Sequence, residues 1–272
     1  MTNARKYLAA AVQMCAGPNK GENLDKAESF AAEAARAGAQ LVVLPEVFLW
    51  RGERVEERTA AETVPGPSTE RLGELARRLR LHLVAGSILE HNGTAKVFNT
   101  SVLFDGRGAI VARYRKLHLF DVDMPDQVTI RESDTRAPGD TVVTAPTEIG
   151  VIGMTVCYDL RFPELYRRLT AAGAEIVTVP SAFTYPTGAA HWEVLVRARA
   201  IENQVYLIAP DQIGRSPNGL VNFGNSMIVD PWGKPVARAA DRETVILAEI
   251  DRDYQERVRR ELPCLSHITL AS

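Results

Sequence analysis

Ala37-Gly38-Ala39-Gln40-Leu41-Val42-Val43-Leu44-Pro45-Glu46-Val47-Phe48 returns later in the chain as Ala172-Gly173-Ala174-Glu175-Ile176-Val177-Thr178-Val179-Pro180-Ser181-Ala182-Phe183. Six of the twelve pairs are identical. In each copy a glycine follows a helical stripe, a short apolar run comes next, and a proline stops it. Glycine ends helices, and proline cannot donate to a strand ladder. This is the helix-to-buried-strand step of an α/β fold. A second match keeps the same order: Phe98–Arg113 against Phe223–Arg238, sharing Phe98/Phe223, Ser101/Ser226, Asp105/Asp230, Gly108/Gly233 and the closing Val-Ala-Arg. Two ordered matches point to an internal duplication. The expected halves are about 1–116 and 141–250, packed with pseudo-twofold symmetry into a single domain over residues 1–272. A solenoid needs at least three repeats.

Working outward, Leu8–Met14 reads as a buried first strand. Arg5-Lys6 before an apolar stretch has the look of a short leader, but Gln13 interrupts the stretch and no small-x-small cleavage site closes it. Leu24–Ala37 carries apolar residues at 24, 27, 30, 31 and 34, a helical stripe. Ser68–Arg80 reads as helix and Leu81–Leu89 as strand. Phe98–Phe104 and Ala109–Tyr114 form a hairpin about Asp105-Gly106-Arg107-Gly108. Residues 121–140 show no periodicity and read as a long loop, of the kind that is usually functional or disordered. Then come a strand at Glu148–Val156, a helix at Pro163–Ala172, a strand at Ile176–Val179, a helix at Trp192–Gln204 and a strand at Tyr206–Ala209. A hairpin of Asn225–Val229 with Val236–Arg238, a last strand at Thr244–Ile250 and a helix at Tyr254–Arg260 complete the pattern.

The 272 residues are 46% hydrophobic and 24% charged, an ordinary globular balance. Thirty-two basic against 34 acidic residues leave a net charge of −2, so no basic excess points to nucleic acid or an anionic membrane. No apolar run approaches the roughly 18 residues of a membrane helix. Cys15, Cys157 and Cys264 are too few and too scattered for a disulfide framework or a metal site, which fits a reducing, cytoplasmic compartment. His82, His91, His118 and His267 match no metal spacing. No GxSxG, HExxH, P-loop or GxGxxG is present, so no cofactor is expected.

Three polar residues occupy the same kind of place. Glu46 follows the strand Leu41–Leu44, Lys116 the strand ending at Tyr114, and Cys157 the strand Val151–Val156. Ligands of α/β sheets gather beyond the C-terminal ends of strands. If the three ends converge, a carboxylate, an ammonium and a thiol share one pocket. A free thiol with pKa ~8.5 is mostly protonated at neutral pH. A nearby ammonium favours the thiolate and a carboxylate accepts its proton. The same ammonium stabilises the oxyanion of a tetrahedral intermediate, which leads to acyl transfer through a thioester. Taken singly, each has a plainer reading: Cys157 as core, Glu46 as a helix cap, Lys116 as part of a solvated basic patch.

Leu44-Pro45-Glu46-Val47-Phe48, Tyr114-Arg115-Lys116-Leu117-His118-Leu119-Phe120-Asp121 and Val156-Cys157-Tyr158-Asp159-Leu160-Arg161-Phe162-Pro163-Glu164 resemble the three signature blocks of the nitrilase superfamily of carbon–nitrogen hydrolases. The resemblance runs from Leu8 to Pro263. It implies an α-β-β-α sandwich, subunits that pair into a homodimer or higher homo-oligomer, and a Glu-Lys-Cys triad. By this resemblance Glu46 is the general base, Lys116 the oxyanion stabiliser, Cys157 the nucleophile, and the Tyr158 backbone N–H completes the oxyanion hole. Glu132 matches a second glutamate, expected to position Lys116 and the substrate amide.

Pro180-Ser181-Ala182-Phe183, Ala190-His191-Trp192-Glu193-Val194 and Arg197–Gln204 resemble the branch that hydrolyses amides of 2-oxo acids. Arg161–Glu164 and Val194–Glu202 look closer to deaminated glutathione amidases than to ω-amidases. The two cleave the same amide of a 2-oxoglutaryl group and differ in the leaving group, cysteinylglycine or ammonia. Thr184–Gly188 differs within the branch and is expected to shape the pocket. Two readings of Arg161 stay open, a bidentate grip on a substrate carboxylate and an ion pair with Glu164. Ser181 and Phe183, at the strand end equivalent to Glu46, are expected to line the pocket, and His191 to be a hydrogen-bonded structural or pocket histidine rather than a partner of Cys157. The expected partner is a small-molecule amide. N-carbamoyl hydrolases and nitrilases are rival activities. A non-catalytic scaffold is the rival of another class, and its Cys157 should alkylate slowly without substrate protection.

Overall fold

The computed structural model of the chain describes residues 5–91, 93–125 and 128–270. The first half builds β1 (Lys6–Gln13), α1 (Lys20–Arg36), β2 (Ala39–Val43), α2 (Glu57–Ala60), α3 (Pro67–Leu79), β3 (His82–Val84), β4 (Ile88–His91), β5 (Val97–Phe104) and β6 (Ile110–Arg115). A linking stretch holds β7 (Asp121–Met124), β8 (Val128–Arg131) and β9 (Arg136–Ala137). The second half builds β10 (Thr144–Thr147), β11 (Gly150–Met154), α4 (Pro163–Ala171), β12 (Ile176–Thr178), α5 (Tyr185–Asn203), β13 (Tyr206–Ala209), β14 (Ile213–Arg215), β15 (Val221–Phe223), β16 (Met227–Val229) and β17 (Pro235–Arg238). β18 (Thr244–Asp251) and α6 (Arg252–Glu261) follow.

The expected duplication is visible in the strand order. One sheet runs β18-β1-β2-β3-β5, with β6 on β5, and the other runs β10-β11-β12-β13-β16-β17. Taken in these orders, each sheet pairs antiparallel, parallel, parallel, antiparallel, antiparallel. The two hairpin turns share their hydrogen bonds as well. Asp105 Oδ1 accepts from the N–H groups of Arg107 and Ala109, and Asp230 Oδ1 from those of Trp232 and Lys234, each at 2.9 Å.

The layers follow from a period of two along the strands. Tyr7, Ala9, Ala11, Leu41 and Val43 face the core between the sheets, where they meet Ile152, Met154 and Ile176. Their neighbours Ala10, Val12, Val42 and Leu44 face outward onto Ala27, Ala31, Leu72 and Leu75 of α1 and α3. Leu165, Leu169, Trp192 and Val196 of α4 and α5 cover the second sheet. The result is the α-β-β-α sandwich. Among the described residues no helix is long and apolar enough to cross a membrane.

Four expectations are corrected. Thr244–Ile250 does not join the second half's sheet: β18 pairs antiparallel with β1, so the last strand edges the first sheet, as β10 edges the second. Leu81–Leu89 is two strands, because the chain breaks at Gly86. Gly86 holds φ +41, and a Cβ there would lie 1.9 Å from the Pro45 carbonyl oxygen, so only glycine passes beneath Leu44-Pro45. Residues 121–140 are not one long loop. β7 and β8 pair as a hairpin whose inward residues are Val122, Met124, Val128 and Ile130. Within that stretch Asp126 and Gln127 lie outside the described residues. The helix expected from Trp192 begins at Tyr185, so Tyr185–Gly188 form its first turn, with Pro186 near the start where its missing N–H costs nothing.

Candidate active site

The ends of β2, β6 and β11 meet at one cavity lined by Glu46, Lys116, Glu132 and Cys157, as the shared strand-end placement of Glu46, Lys116 and Cys157 predicts. Glu46 leaves β2 through Leu44-Pro45. Its N–H donates to the Ser181 carbonyl at 3.3 Å, and its carbonyl accepts from Gln212 Nε2 at 3.0 Å. Val47 sits at φ +48, an uncommon conformation for a β-branched residue, and its N–H donates to Ser87 Oγ at 2.9 Å. The segment beneath Pro45 therefore holds the turn that aims Glu46.

Glu46 Oε1 accepts from Asn99 Nδ2 at 2.8 Å and from Lys116 Nζ at 3.0 Å. Lys116 is 1% exposed. Its Nζ also donates to Glu132 Oε2 at 2.8 Å. Burial opposes the ammonium charge, but Glu132, Glu46 and Cys157 outweigh it and raise the pKa above the usual lysine range. Glu132 Oε2 takes the Phe120 N–H at 2.7 Å, and Glu132 Oε1 takes Arg136 Nη1 at 2.6 Å. Burial works against its charge too, yet Lys116 and Arg136 bring its pKa down to about 2. Arg136 closes the chain on Glu57, with Nη2–Oε1 at 2.6 Å and Nε–Oε2 at 3.1 Å. Glu57, Arg136, Glu132, Lys116 and Glu46 thus alternate in sign through the protein interior, each buried.

Cys157 opens the turn after β11 with φ +50, a conformation that costs a non-glycine residue about 1–2 kcal/mol. Its N–H donates to the Pro180 carbonyl at 2.9 Å. Burial first, and then the Glu46 charge, push the thiol well above its usual pKa, while Lys116 and the Ala182 N–H pull the other way.

The remaining candidates divide. Tyr158, Arg161 and Phe183 line a smaller cavity that also reaches Cys157. The Tyr158 ring packs against Phe120 and Phe162, at centroid distances of 4.9 and 5.3 Å. Arg161 is half-buried and forms no ion pair with Glu164 among the described residues. Its guanidinium lies 5.4 Å over the Phe183 ring and 3.3 Å from His191 Nδ1. His191 is exposed, hydrogen-bonded to Arg161, and lines neither cavity. Ser181 lines neither cavity: its Oγ donates to the Val179 carbonyl at 2.9 Å, and the residue contributes its own carbonyl to Glu46 and Gln212. Thr184 and Thr187 border the pocket, so this stretch shapes it as expected.

Arg51, Glu57, Asn99, Arg136 and Gln212 escaped the sequence reading. Glu57 and Arg136 lie in segments without periodicity. The one signal nearby was the alternation Val128-Thr129-Ile130-Arg131, which marks the strand leading into Glu132.

A family model described as carbon–nitrogen hydrolase matches residues 8–260. The chain is 43% identical over 266 residues to a deaminated glutathione amidase of Bos taurus, covering 96% of this chain and 81% of that one. It is 40% identical over 258 residues to the omega-amidase NIT2 of Xenopus tropicalis, covering 95% and 93%. Among solved structures it resembles Saccharomyces cerevisiae Nit3, described as a member of branch 10 of the nitrilase superfamily, with TM-score 0.87, 34% identity, and 97% and 96% of the two chains covered.

Proposed function

We propose that this chain, which belongs to the carbon–nitrogen hydrolase family, is one amidase domain that hydrolyses deaminated glutathione to 2-oxoglutarate and cysteinylglycine. The observation that carries this reading is the Lys116–Glu46 pair, 3.0 Å long, in one cavity with the Cys157 thiol. Cys157 Sγ attacks the amide carbonyl carbon while Glu46 takes the thiol proton. The carbonyl π electrons move to oxygen, and that oxyanion is held by Lys116 Nζ and the Tyr158 N–H. The intermediate collapses, the C–N bond breaks, and Glu46 returns the proton to the leaving amine. Water then attacks the thioester and gives its proton to Glu46. The C–S bond breaks, the carboxylic acid departs, and the thiol is restored.

Glu132 acts on this cycle through Lys116. The 2.8 Å contact fixes the ammonium and keeps it charged in a site where burial alone would favour loss of its proton. A second substrate reading, 2-oxoglutaramate with ammonia as leaving group, is favoured by the 40% identity to an omega-amidase. A homo-oligomer is supported by exposed apolar side chains on and beside α5: Val194, Ile201 and Trp232. Three free cysteines, among the described residues, support a cytoplasmic location.

The test compares hydrolysis of deaminated glutathione and 2-oxoglutaramate, with Cys157→Ala as control. Cysteinylglycine release at the higher kcat/KM is the expected result. Preference for 2-oxoglutaramate makes the chain an ω-amidase. Turnover that survives Cys157→Ala refutes the mechanism.

A further inference from the structure

Two arginines of the catalytic cavity hold their charge in opposite ways. Arg136 is bracketed by Glu57 and Glu132. Arg51, which lines the same cavity as Cys157, forms no ion pair among the described residues. Its Nε donates to Ser216 Oγ at 3.1 Å and its Nη2 to Asn222 Oδ1 at 3.3 Å, both neutral acceptors. Its Nη1 has no hydrogen-bond partner among them. Burial lowers its basicity, and Glu46, Asp211 and Cys157 act on it only as more distant charges. Arg54 lines the same cavity, donates Nη1 to the Arg131 carbonyl at 2.9 Å, and likewise lacks a carboxylate. A guanidinium taken from water without a counter-ion is costly unless a ligand supplies one. The protein orients the Arg51 fork with two neutral acceptors and leaves its remaining edge to the cavity.

We propose that Arg51 binds the substrate's acyl-side carboxylate, a specificity that rests on the 2-oxo-acid amide reading above. The side is set by the order of events. The acyl portion stays on Cys157 until water arrives, whereas the amine has to leave. An arginine already oriented by Ser216 and Asn222 therefore suits the retained portion, whereas the Arg161 guanidinium is engaged with the Phe183 ring and His191. Arg54, on the same cavity, adds positive potential there. An arginine fork matches a carboxylate bidentately, and charge-assisted bonds of this kind are strong enough to discriminate by one to two orders of magnitude.

The experiment has two arms. In the first, kcat/KM is measured for glutaramate and for its uncharged counterpart pentanamide, with wild type, Arg51→Gln and Arg51→Lys. Wild type should prefer glutaramate by ~100-fold. Arg51→Gln should bring the ratio to within about 3-fold, mainly through KM, and Arg51→Lys should lie between, since it keeps charge but not the fork. An unchanged ratio, or an equal loss on both amides, overturns the proposal. In the second arm, 2-oxoglutarate is titrated calorimetrically into Cys157→Ala and into Cys157→Ala/Arg51→Gln of equal thermal midpoint. A tenfold or greater loss of affinity supports the proposal even if no amide is turned over, in which case the amidase reading alone fails. Equal affinities overturn the proposal and leave the amidase reading standing.

Discussion

Tyr114 and Asp159 are joined by a 2.7 Å hydrogen bond from the Tyr114 hydroxyl to Asp159 Oδ2, with both residues fully buried. Tyr114 lies on β6 of the first sheet, two residues before Lys116, and Asp159 lies in the turn after β11 of the second, two residues after Cys157. Asp159 Oδ2 also accepts the Val156 N–H at 2.8 Å, and Asp159 Oδ1 accepts the His118 N–H at 3.1 Å. The carboxylate thus ties the lysine strand to the cysteine turn and sets their separation across the sandwich.

Tyr114→Phe removes that tie and leaves the volume unchanged. Asp159 keeps its other donors, so the expected loss of stability is about 1.5–3 kcal/mol, the usual range for a hydrogen bond to a charged group. kcat should fall roughly tenfold with KM little changed, because the binding surfaces remain while the thiol and ammonium lose register. Steady-state kinetics beside urea unfolding check this. A drop in stability with kcat intact removes Tyr114 from the catalytic geometry.

Glu46→Gln keeps the shape of the side chain and its contacts with Asn99 and Lys116, but cannot take a proton. Acylation should slow by about 10²–10⁴-fold. Intact-protein mass spectrometry after mixing with substrate should show no rapid thioester. A fast acyl-enzyme burst in this variant would assign the proton to another group.

Arg136→Met should destabilise the fold by about 3–5 kcal/mol, because Glu57 and Glu132 are left as buried charges without their partner. Adding Glu57→Gln should recover part of that loss, since one of the orphaned charges is then removed. Denaturant midpoints of the two single variants and the double variant give the coupling. Strict additivity would mean that the pair does not interact.

Stability should fall in acid through Glu132. Its folded pKa, about 2, lies below the ordinary 4.5. The unfolded chain therefore binds the extra proton between these values, and stability rises with pH across that window. The contribution is fully present above pH 4.5 and is lost as pH falls toward about 2. Its size is on the order of 3 kcal/mol. Glu132→Gln should flatten the urea midpoint between pH 4.5 and 2 relative to wild type. An unchanged slope would place the acid sensitivity elsewhere.

Much of the site was legible because chain order carries it. Glu46, Lys116 and Cys157 each follow a strand, and strand ends in such sheets face one side. The two turns at Asp105 and Asp230 were legible for a similar reason: aspartate and glycine at fixed spacing dictate the turn locally. Ser181 shows the limit. Its position equivalent to Glu46 was read correctly, but a serine so short hydrogen-bonds its own strand, at Val179, before it reaches the pocket. Glu57 and Arg136 were illegible because a charge in an aperiodic segment is usually solvated, and nothing local says that an opposite charge 79 residues away buries it.

The sequence by itself determined the α/β class, the duplication and the three residues that stand at strand ends. These depend on periodicity and on short-range turn chemistry, which act over a few residues. Only the tertiary structure decided that β18 edges the first sheet, that Tyr114 meets Asp159, and that Glu46, Lys116, Glu132, Arg136 and Glu57 form one buried chain of alternating charge. It also decided that Arg51 faces the cavity without a carboxylate. The physical reason is that the state of a buried charge is set by burial and by partners brought from distant parts of the chain, and both exist only after the two sheets have packed.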